Sequence, residues 1–94
     1  MDWQQKWLAL TSLSPRTSYL STDVGGRWYI HLGGVEIGNG HVLVSATERG
    51  ASPQEAIEKT WDRYALNLKS DEFIRISSNK DRQLRWNGFM WADT

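Results

Sequence analysis

Apolar residues recur at two different spacings along the chain, and these spacings predict which segments are helical and which are extended. Trp3, Trp7 and Leu10 follow one another at helical spacing, directly behind Asp2, whose carboxylate suits the N-cap of a helix. The pattern therefore predicts a short amphipathic helix over residues 3–10.

The next segments alternate between loop and strand compositions. Residues 11–26 are rich in Ser, Thr, Pro and Gly, so they predict a loop or arm with a brief strand near Tyr19. Residues 27–37 and 41–47 are rich in strand formers and flank Asn39-Gly40, a dipeptide that favours hairpin turns because both residues tolerate positive φ. We therefore expect these two runs to form a β-hairpin.

The register of this hairpin is predicted from the residues that must share an apolar face. A two-residue turn at Asn39-Gly40 groups four aliphatic residues on one face. Earlier in the first strand the apolar residues have the opposite parity, so a β-bulge is expected at Gly33-Gly34. The predicted pairs are Val35 with Val44 and Ile37 with Val42.

A second helix is predicted to begin at Pro53. Ser52 supplies the N-cap hydroxyl, Pro53 suits the first helical position, and Glu55 can reach back to the cap. The helix is expected to end near Leu66, with Glu55 and Lys59 forming a favourable pair on its polar face. Its predicted buried residues are Ala56, Ile57, Thr60, Trp61, Tyr64 and Leu68.

A second hairpin, residues 72–77 and 82–91, is expected around a three-residue loop at 79–81. This loop would place Ile74 opposite Trp86 and Ile76 opposite Leu84, and Arg75 opposite Arg85. The predicted fold is α+β in the order α-β-β-α-β-β. About four antiparallel strands, as two hairpins, would pack on one main helix and a short N-terminal helix, forming a single domain over residues 1–94.

Composition narrows the class of protein. The 94 residues contain no cysteine, so no disulfide or thiolate metal site is available, and a cytoplasmic location is expected. Eleven basic residues balance eleven acidic ones, so we do not expect an overall electrostatic field that would attract the whole molecule to nucleic acid. The chain shows no export signal, and no apolar run approaches the ~20 residues that span a membrane.

Catalytic and metal chemistry are not predicted. His31 and His41, the two histidines, are expected to lie far apart along the first hairpin. The chain contains no nucleotide-binding or hydrolase motif, and Gly25-Gly26 and Gly33-Gly34 are interpreted as turn and bulge glycines. We therefore expect a non-enzymatic protein with no cofactor and no metal.

The C-terminal hairpin carries the candidate binding face. Arg75 directly opposite Arg85 would be destabilising unless a carboxylate or an anionic partner neutralised the pair. Glu36, Glu48 and Asp93 are the candidate internal carboxylates. Interleaved arginine and aromatic residues suit an acidic protein surface or single-stranded nucleic acid, and the neutral total charge favours a protein. The predicted binding residues are Phe73, Arg75, Arg82, Arg85 and Phe89, with Trp91 at the rim.

The tryptophans raise the question of self-association. Six are present, and Trp3, Trp7 and Trp91 lie near the chain ends. They are expected either to close the core as lids or, if exposed, to form a homodimer or partner interface. Both a monomer and a homodimer are compatible with the sequence.

Two resemblances bear on function. Residues 27–31 (RWYIH) followed by residues 50–57 (GASPQEAI), a hairpin running into a capped helix, resemble the β-β-α unit of HicB-type antitoxins. That resemblance implies a small basic toxin as partner.

The tryptophan-rich composition and the RWNGFMW ending at 85–91 resemble small phage and prophage proteins. This resemblance implies a protein that docks stoichiometrically onto a host or phage protein in the host cytoplasm. It would act as an inhibitor or as a counter-defence protein of the anti-CRISPR kind. A single-stranded nucleic-acid-binding accessory protein and a HicB-like antitoxin are the alternatives.

Overall fold

Two helices and seven short strands make up the described part of the chain. The computed structural model describes residues 1–15, 18–32, 35–37, 41–43, 48–70, 74–76 and 82–93. For residues 35–37, 41–43, 64, 66–70, 74–76 and 82 only the backbone is considered. In chain order the elements are α1 (Trp3–Thr11), β1 (Tyr19–Thr22), β2 (Trp28–His31), β3 (Val35–Ile37), β4 (His41–Leu43), α2 (Pro53–Ser70), β5 (Ile74–Ile76), β6 (Arg82–Trp86) and β7 (Trp91–Asp93).

The predicted helix starts are confirmed. Asp2 and Gln5 form a reciprocal capping box at the start of α1, and the Ser52 hydroxyl accepts a hydrogen bond from the Glu55 N–H at the start of α2. α2 continues to Ser70, beyond the expected end near Leu66.

One face of α2 is buried as its apolar spacing predicted. Ala56, Ile57, Thr60 and Trp61 are buried, and Ala65 joins them. The predicted ion pair on the opposite face is present, with Lys59 Nζ 3.0 Å from a Glu55 carboxylate oxygen. The side chains of Tyr64 and Leu68 lie outside the described set.

The strands form two antiparallel sheets, so the α+β prediction is confirmed. β1 pairs with β2 in a two-stranded sheet, which contains the brief strand expected near Tyr19. The other sheet has the order β4-β3-β5-β6-β7. The two predicted hairpins therefore join through β3 and β5, and β7 adds a strand that the sequence did not predict.

The predicted register of the first hairpin is wrong by one residue. Val35 pairs with Leu43 and Ile37 pairs with His41, which leaves three residues between the last paired positions instead of a two-residue turn. The expected single strand over 27–37 is also divided, because β2 and β3 belong to different sheets. The predicted bulge at Gly33-Gly34, the predicted turn at Asn39-Gly40, and Val44 lie outside the described residues.

The second hairpin is displaced by two residues from its predicted register. Ile74 pairs with Leu84 and Arg75 pairs with Gln83, so Arg75 is not opposite Arg85. Because side chains alternate with period two, a two-residue shift keeps the same residues on each face. Leu84 is accordingly buried while Arg85 is exposed, as predicted. The strand expected over 82–91 ends at Trp86, and the chain then turns back as β7.

The core lies between the two helices and the inner faces of the sheets. Its buried residues come from α1 and the turn after it, β2 and Leu32 directly after it, α2, β6 and β7. The tryptophan-lid interpretation holds, since Trp91 is 2% exposed and Trp3 and Trp7 pack against the core. Trp61, Trp86 and Trp91 form an aromatic cluster with ring centroids 4.6–6.3 Å apart.

Candidate protein-binding groove

The binding face predicted on the C-terminal hairpin rested partly on two facing arginines, and the strand pairing removes that part of its basis. Arg75 lies opposite Gln83 on one side and Glu36 on the other, while Arg85 lies opposite Ala92. A residue of opposite charge therefore neighbours Arg75 in the register, at one of the positions named as a candidate internal carboxylate. The sheet does not hold a directly apposed pair of like charges at these positions.

The predicted site residues have different environments. Arg85 is exposed, and Phe89 is 76% exposed at the tip of the β6–β7 turn. Trp91, expected at the rim of the site, is instead buried against Trp61 and Trp86. For Arg75 and Arg82 the backbone alone is described, and Phe73 lies outside the described residues.

Phe89 belongs to an apolar groove that sequence analysis did not identify. Four of the six exposed large hydrophobic residues among those described lie together here: Met1, Leu8, Phe89 and Met90. With Gln5 and Gly88 they line a depression of about 250 Å³. We call this set of six residues the Phe89 groove.

One wall of the Phe89 groove is the outer face of α1. Trp3, Trp7 and Leu10 turn inward to the core, so Gln5 and Leu8 share the outward side, and Met1, just before the N-cap, extends this wall. The capping box holds the first turn, because Gln5 N–H donates to Asp2 Oδ1 at 2.8 Å and Asp2 N–H donates to Gln5 Oε1 at 3.0 Å.

The other wall is the tight turn between β6 and β7. Asn87 Oδ1 accepts hydrogen bonds from the backbone N–H groups of Phe89, at 2.9 Å, and Met90, at 3.0 Å. Asn87 N–H in turn donates to the Met90 carbonyl oxygen at 3.0 Å. Gly88 has a φ of +103°, a conformation that side chains disfavour. The turn thus points the Phe89 side chain outward, and few other backbone conformations are available to it.

Ser12 joins the two walls. Its hydroxyl donates to the Ala9 carbonyl oxygen at 2.5 Å and accepts from the Trp91 backbone N–H at 2.9 Å. The first contact closes the last turn of α1, and the second fixes the start of β7 to it. α1 and the β6–β7 turn are therefore held at a defined distance.

Charged side chains cluster at a different place, where the β1–β2 hairpin meets the start of α2. Arg49 Nε lies 3.1 Å from Asp23 Oδ2, and its guanidinium carbon lies 4.3 Å from the centre of the Tyr29 ring. Arg63 Nη1 lies 2.6 Å from Glu48 Oε1. These opposite charges are paired within the protein, so Arg49 ties the segment before α2 to the β1–β2 turn and Glu48 ties it to α2.

Two carboxyl groups in this region have lowered pKa values. The backbone N–H of Arg27 is the main cause for Asp23, whose pKa is held below 3.8, with the Gly25 N–H and Arg49 adding to it. The hydrogen bond from Lys59 chiefly lowers the pKa of Glu55. Both groups are therefore carboxylates at neutral pH.

Among the residues with described positions, no cluster of three or more His, Cys, Asp or Glu could hold a metal ion. His31 lies in the smaller sheet, stacked on Tyr19 with centroids 4.7 Å apart, whereas His41 lies in the larger sheet. No helix within the described ranges is both long enough and apolar enough to cross a membrane.

A signal for part of the groove was present in the sequence. Asn87-Gly88 is the same dipeptide that predicted the first hairpin turn at Asn39-Gly40, yet it was interpreted as strand. Applying the turn rule there would have placed Phe89 and Met90 at a turn. Nothing in the local sequence connects that turn with Met1 and Leu8.

Comparisons with protein-family models, with curated proteins and with solved structures found no match to this chain.

Proposed function

We propose that this protein acts without catalysis, by binding another protein through the Phe89 groove. The observation that supports the proposal is the clustering of Met1, Leu8, Phe89 and Met90 in one place. Single exposed hydrophobic residues are ordinary on protein surfaces, whereas a contiguous group marks a site that gains free energy when covered. Phe89 is the natural anchor, because aromatic residues dominate binding energy at interfaces.

The groove is well organised before any partner arrives. Its α1 wall is held by the capping box, its turn wall by Asn87, and their separation by Ser12. A rigid backbone lowers the entropy cost of association. The two thioether side chains are flexible, so they can adapt their shape to the surface of a partner.

The occupant that suits this groove is a short apolar segment of a different protein. The depression has a volume of about 250 Å³. It is large enough to take one or two apolar side chains that project from a partner segment.

The more specific form of the proposal comes from the resemblance to small phage and prophage proteins. In that form the protein binds a host or phage protein in the host cytoplasm and blocks its surface in a one-to-one complex. The groove supplies the anchor and the exposed Arg85 can add charge complementarity to an acidic rim.

Affinity capture with matched surface variants tests the proposal. We expect the wild type and Val24→Asp to retain a common protein from a lysate of the cells that carry the gene, and Phe89→Asp to lose it. Val24 is a suitable control because it is fully exposed and does not line the groove. With the purified partner, Phe89→Asp should weaken binding about 30-fold or more.

Equal capture by all three proteins would show that binding does not use the groove, and capture of nothing would contradict the proposed function. The two alternatives give different results. Nucleic-acid binding predicts an oligonucleotide affinity that falls steeply with salt and is lost in Arg85→Glu. A HicB-like antitoxin predicts that the retained protein is a small basic toxin.

A further inference from the structure

We propose that the Phe89 groove is also an oxidation site, at which peroxide converts the thioethers of Met1 and Met90 into sulfoxides and so weakens partner binding. The oxidation chemistry stands on the structure of the groove itself. Its consequence for binding rests on the proposed function.

The placement of sulfur in this chain is the first observation. The chain has two methionines and no cysteine, so these thioethers are its only sulfur atoms. Both line the groove, and they are 55% and 41% exposed. Without a thiol to compete, mild oxidation by hydrogen peroxide is directed to these two positions.

The reaction needs only peroxide as co-reactant. A sulfur lone pair attacks one peroxide oxygen, the O–O bond breaks, and after proton transfer the other oxygen leaves as water. The sulfur is oxidised by two electrons and the peroxide is reduced by two. The product is a methionine sulfoxide, which dedicated reductases convert back to the thioether.

A sulfoxide changes the groove because it places a strong hydrogen-bond acceptor where the surface was apolar. Covering that acceptor with an apolar partner segment removes it from water without replacing its hydrogen bonds. We expect each sulfoxide that the partner covers to weaken binding about tenfold.

The frame of the groove does not depend on the two thioethers. The hydrogen bonds that hold it come from Asp2, Gln5, Ser12 and Asn87, and none of them involves a methionine side chain. Oxidation should therefore change the groove surface while leaving the fold intact.

Peroxide treatment followed by mass spectrometry tests the chemistry without a partner. Both methionines should gain one oxygen at rates within about threefold of free methionine, with an unchanged circular dichroism spectrum. The fluorescence of anilinonaphthalene sulfonate, an anionic dye that binds exposed apolar surface, should be high with wild type but not with Phe89→Asp, and should fall with the same time course. Rates more than about tenfold slower than free methionine, or unchanged dye fluorescence, would overturn the proposal.

Binding to the captured partner tests the consequence. Oxidised wild type should bind at least about tenfold more weakly, and methionine sulfoxide reductases should restore its affinity. Oxidation should weaken binding less in Met90→Leu, which retains only one of the two thioethers. Unchanged affinity after complete oxidation would overturn the inference while leaving the proposed function in place. If untreated protein has no Phe89-dependent partner, the proposed function fails, and the rate and dye measurements still decide whether the groove is an oxidation site.

Discussion

Gly50 lies where the chain enters α2, and there is no room at this position for a methyl group. A Cβ placed there would come within 2.5 Å of the Ala56 backbone nitrogen and 2.9 Å of the Glu55 carbonyl carbon. The backbone of Gly50 also exchanges two hydrogen bonds with Trp28, which joins the β1–β2 hairpin to the start of α2. Close approach of two backbone segments is the reason for glycine here.

We therefore expect Gly50→Ala to lower the free energy of unfolding by about 1–3 kcal/mol, because either the helix or the bridge to Trp28 must move. Urea denaturation at neutral pH measures the change. Ala51→Ser, at the exposed neighbouring position, should change it by less than about 0.5 kcal/mol. Equal stability of Gly50→Ala and wild type would contradict the close approach.

Thr60 places a hydroxyl in the core of α2. Its side chain is fully buried, and Oγ1 has no hydrogen-bond partner among the described residues. Because a buried hydroxyl without a partner loses its bonds to water, Thr60→Val should raise the free energy of unfolding by about 1 kcal/mol.

The same substitution at Thr11 provides the comparison. Thr11 Oγ1 donates to the Trp7 carbonyl oxygen at 2.9 Å. Thr11→Val therefore removes a hydrogen bond that the folded protein forms, and this substitution should not stabilise the protein. Thermal and urea unfolding of both variants measure the two changes in the free energy of unfolding. A destabilised Thr60→Val would mean that the hydroxyl is satisfied in solution.

At the scale of elements, the contact between α1 and β7 depends on Ser12. Ser12→Ala leaves the backbone N–H of the buried Trp91 without its acceptor, so we expect the free energy of unfolding to fall by about 1–3 kcal/mol and hydrogen exchange at the Trp91 amide to become faster. Thr11→Ala is the matched control, because its hydroxyl bonds only within α1. Unchanged exchange at Trp91 in Ser12→Ala would contradict the proposed link.

Asp23 accepts hydrogen bonds within the β1–β2 turn and pairs with Arg49, in the segment that leads into α2, and its lowered pKa makes this turn sensitive to acid. A carboxyl whose pKa is lower in the folded state stabilises it above the unfolded pKa and loses that contribution as pH falls through the folded pKa. The unfolded value is about 3.8, so the loss occurs below that pH.

Wild type should therefore be more stable than Asp23→Asn at pH 6, and the difference should shrink as pH falls below about 4. Urea midpoints across this range measure it. Arg49→Gln should have a smaller effect, because the Arg27 N–H is the larger cause of the lowered pKa. A constant difference between wild type and Asp23→Asn down to pH 2 would show that the carboxylate is not stabilised by folding.

At the scale of the whole molecule, the distribution of tryptophan and apolar surface favours a monomer. Trp91 lies in the core and Trp3 and Trp7 pack on it, so these three residues do not form the interface that they would build if exposed. The Phe89 groove is the main apolar cluster within the described surface, and we propose that a segment of a different protein covers it.

We expect sedimentation equilibrium at tens of micromolar protein to give the monomer mass of 10.8 kDa. Phe89→Asp should give the same mass. A dimer that dissociates on this substitution would instead identify a second copy of the chain as the occupant of the groove.

Local signals in the sequence were sufficient for the helix starts and for the alternation along β6, but not for the first hairpin, where the one-residue shift places Val42 opposite Glu36. Caps at Asp2 and Ser52 act within one turn of helix, and the alternation of Leu84 and Arg85 follows from the pleat of a single strand. These features depend on neighbours a few residues away, so sequence reasoning could predict them together with the α+β class.

Strand pairing was predicted less well, because periodicity does not determine it. Moving Arg75 from Arg85 to Gln83 keeps every residue on its face, so the apolar pattern cannot distinguish the two registers. Only the length of the connection and the neighbouring strand β3 decide between them. The prediction of two facing arginines therefore depended on a register that the apolar pattern does not determine.

Local hydrogen bonding and side-chain alternation were enough to predict the class of fold, the helix starts and the buried face of α2, since these features depend on residues close together in the chain. The tertiary structure alone decided the registers, the burial of Trp91 and the existence of the Phe89 groove. Ser12 and Trp91 are 79 residues apart in the chain and are joined by one hydrogen bond. Contacts over such separations form only when the whole core assembles, so no local pattern encodes them.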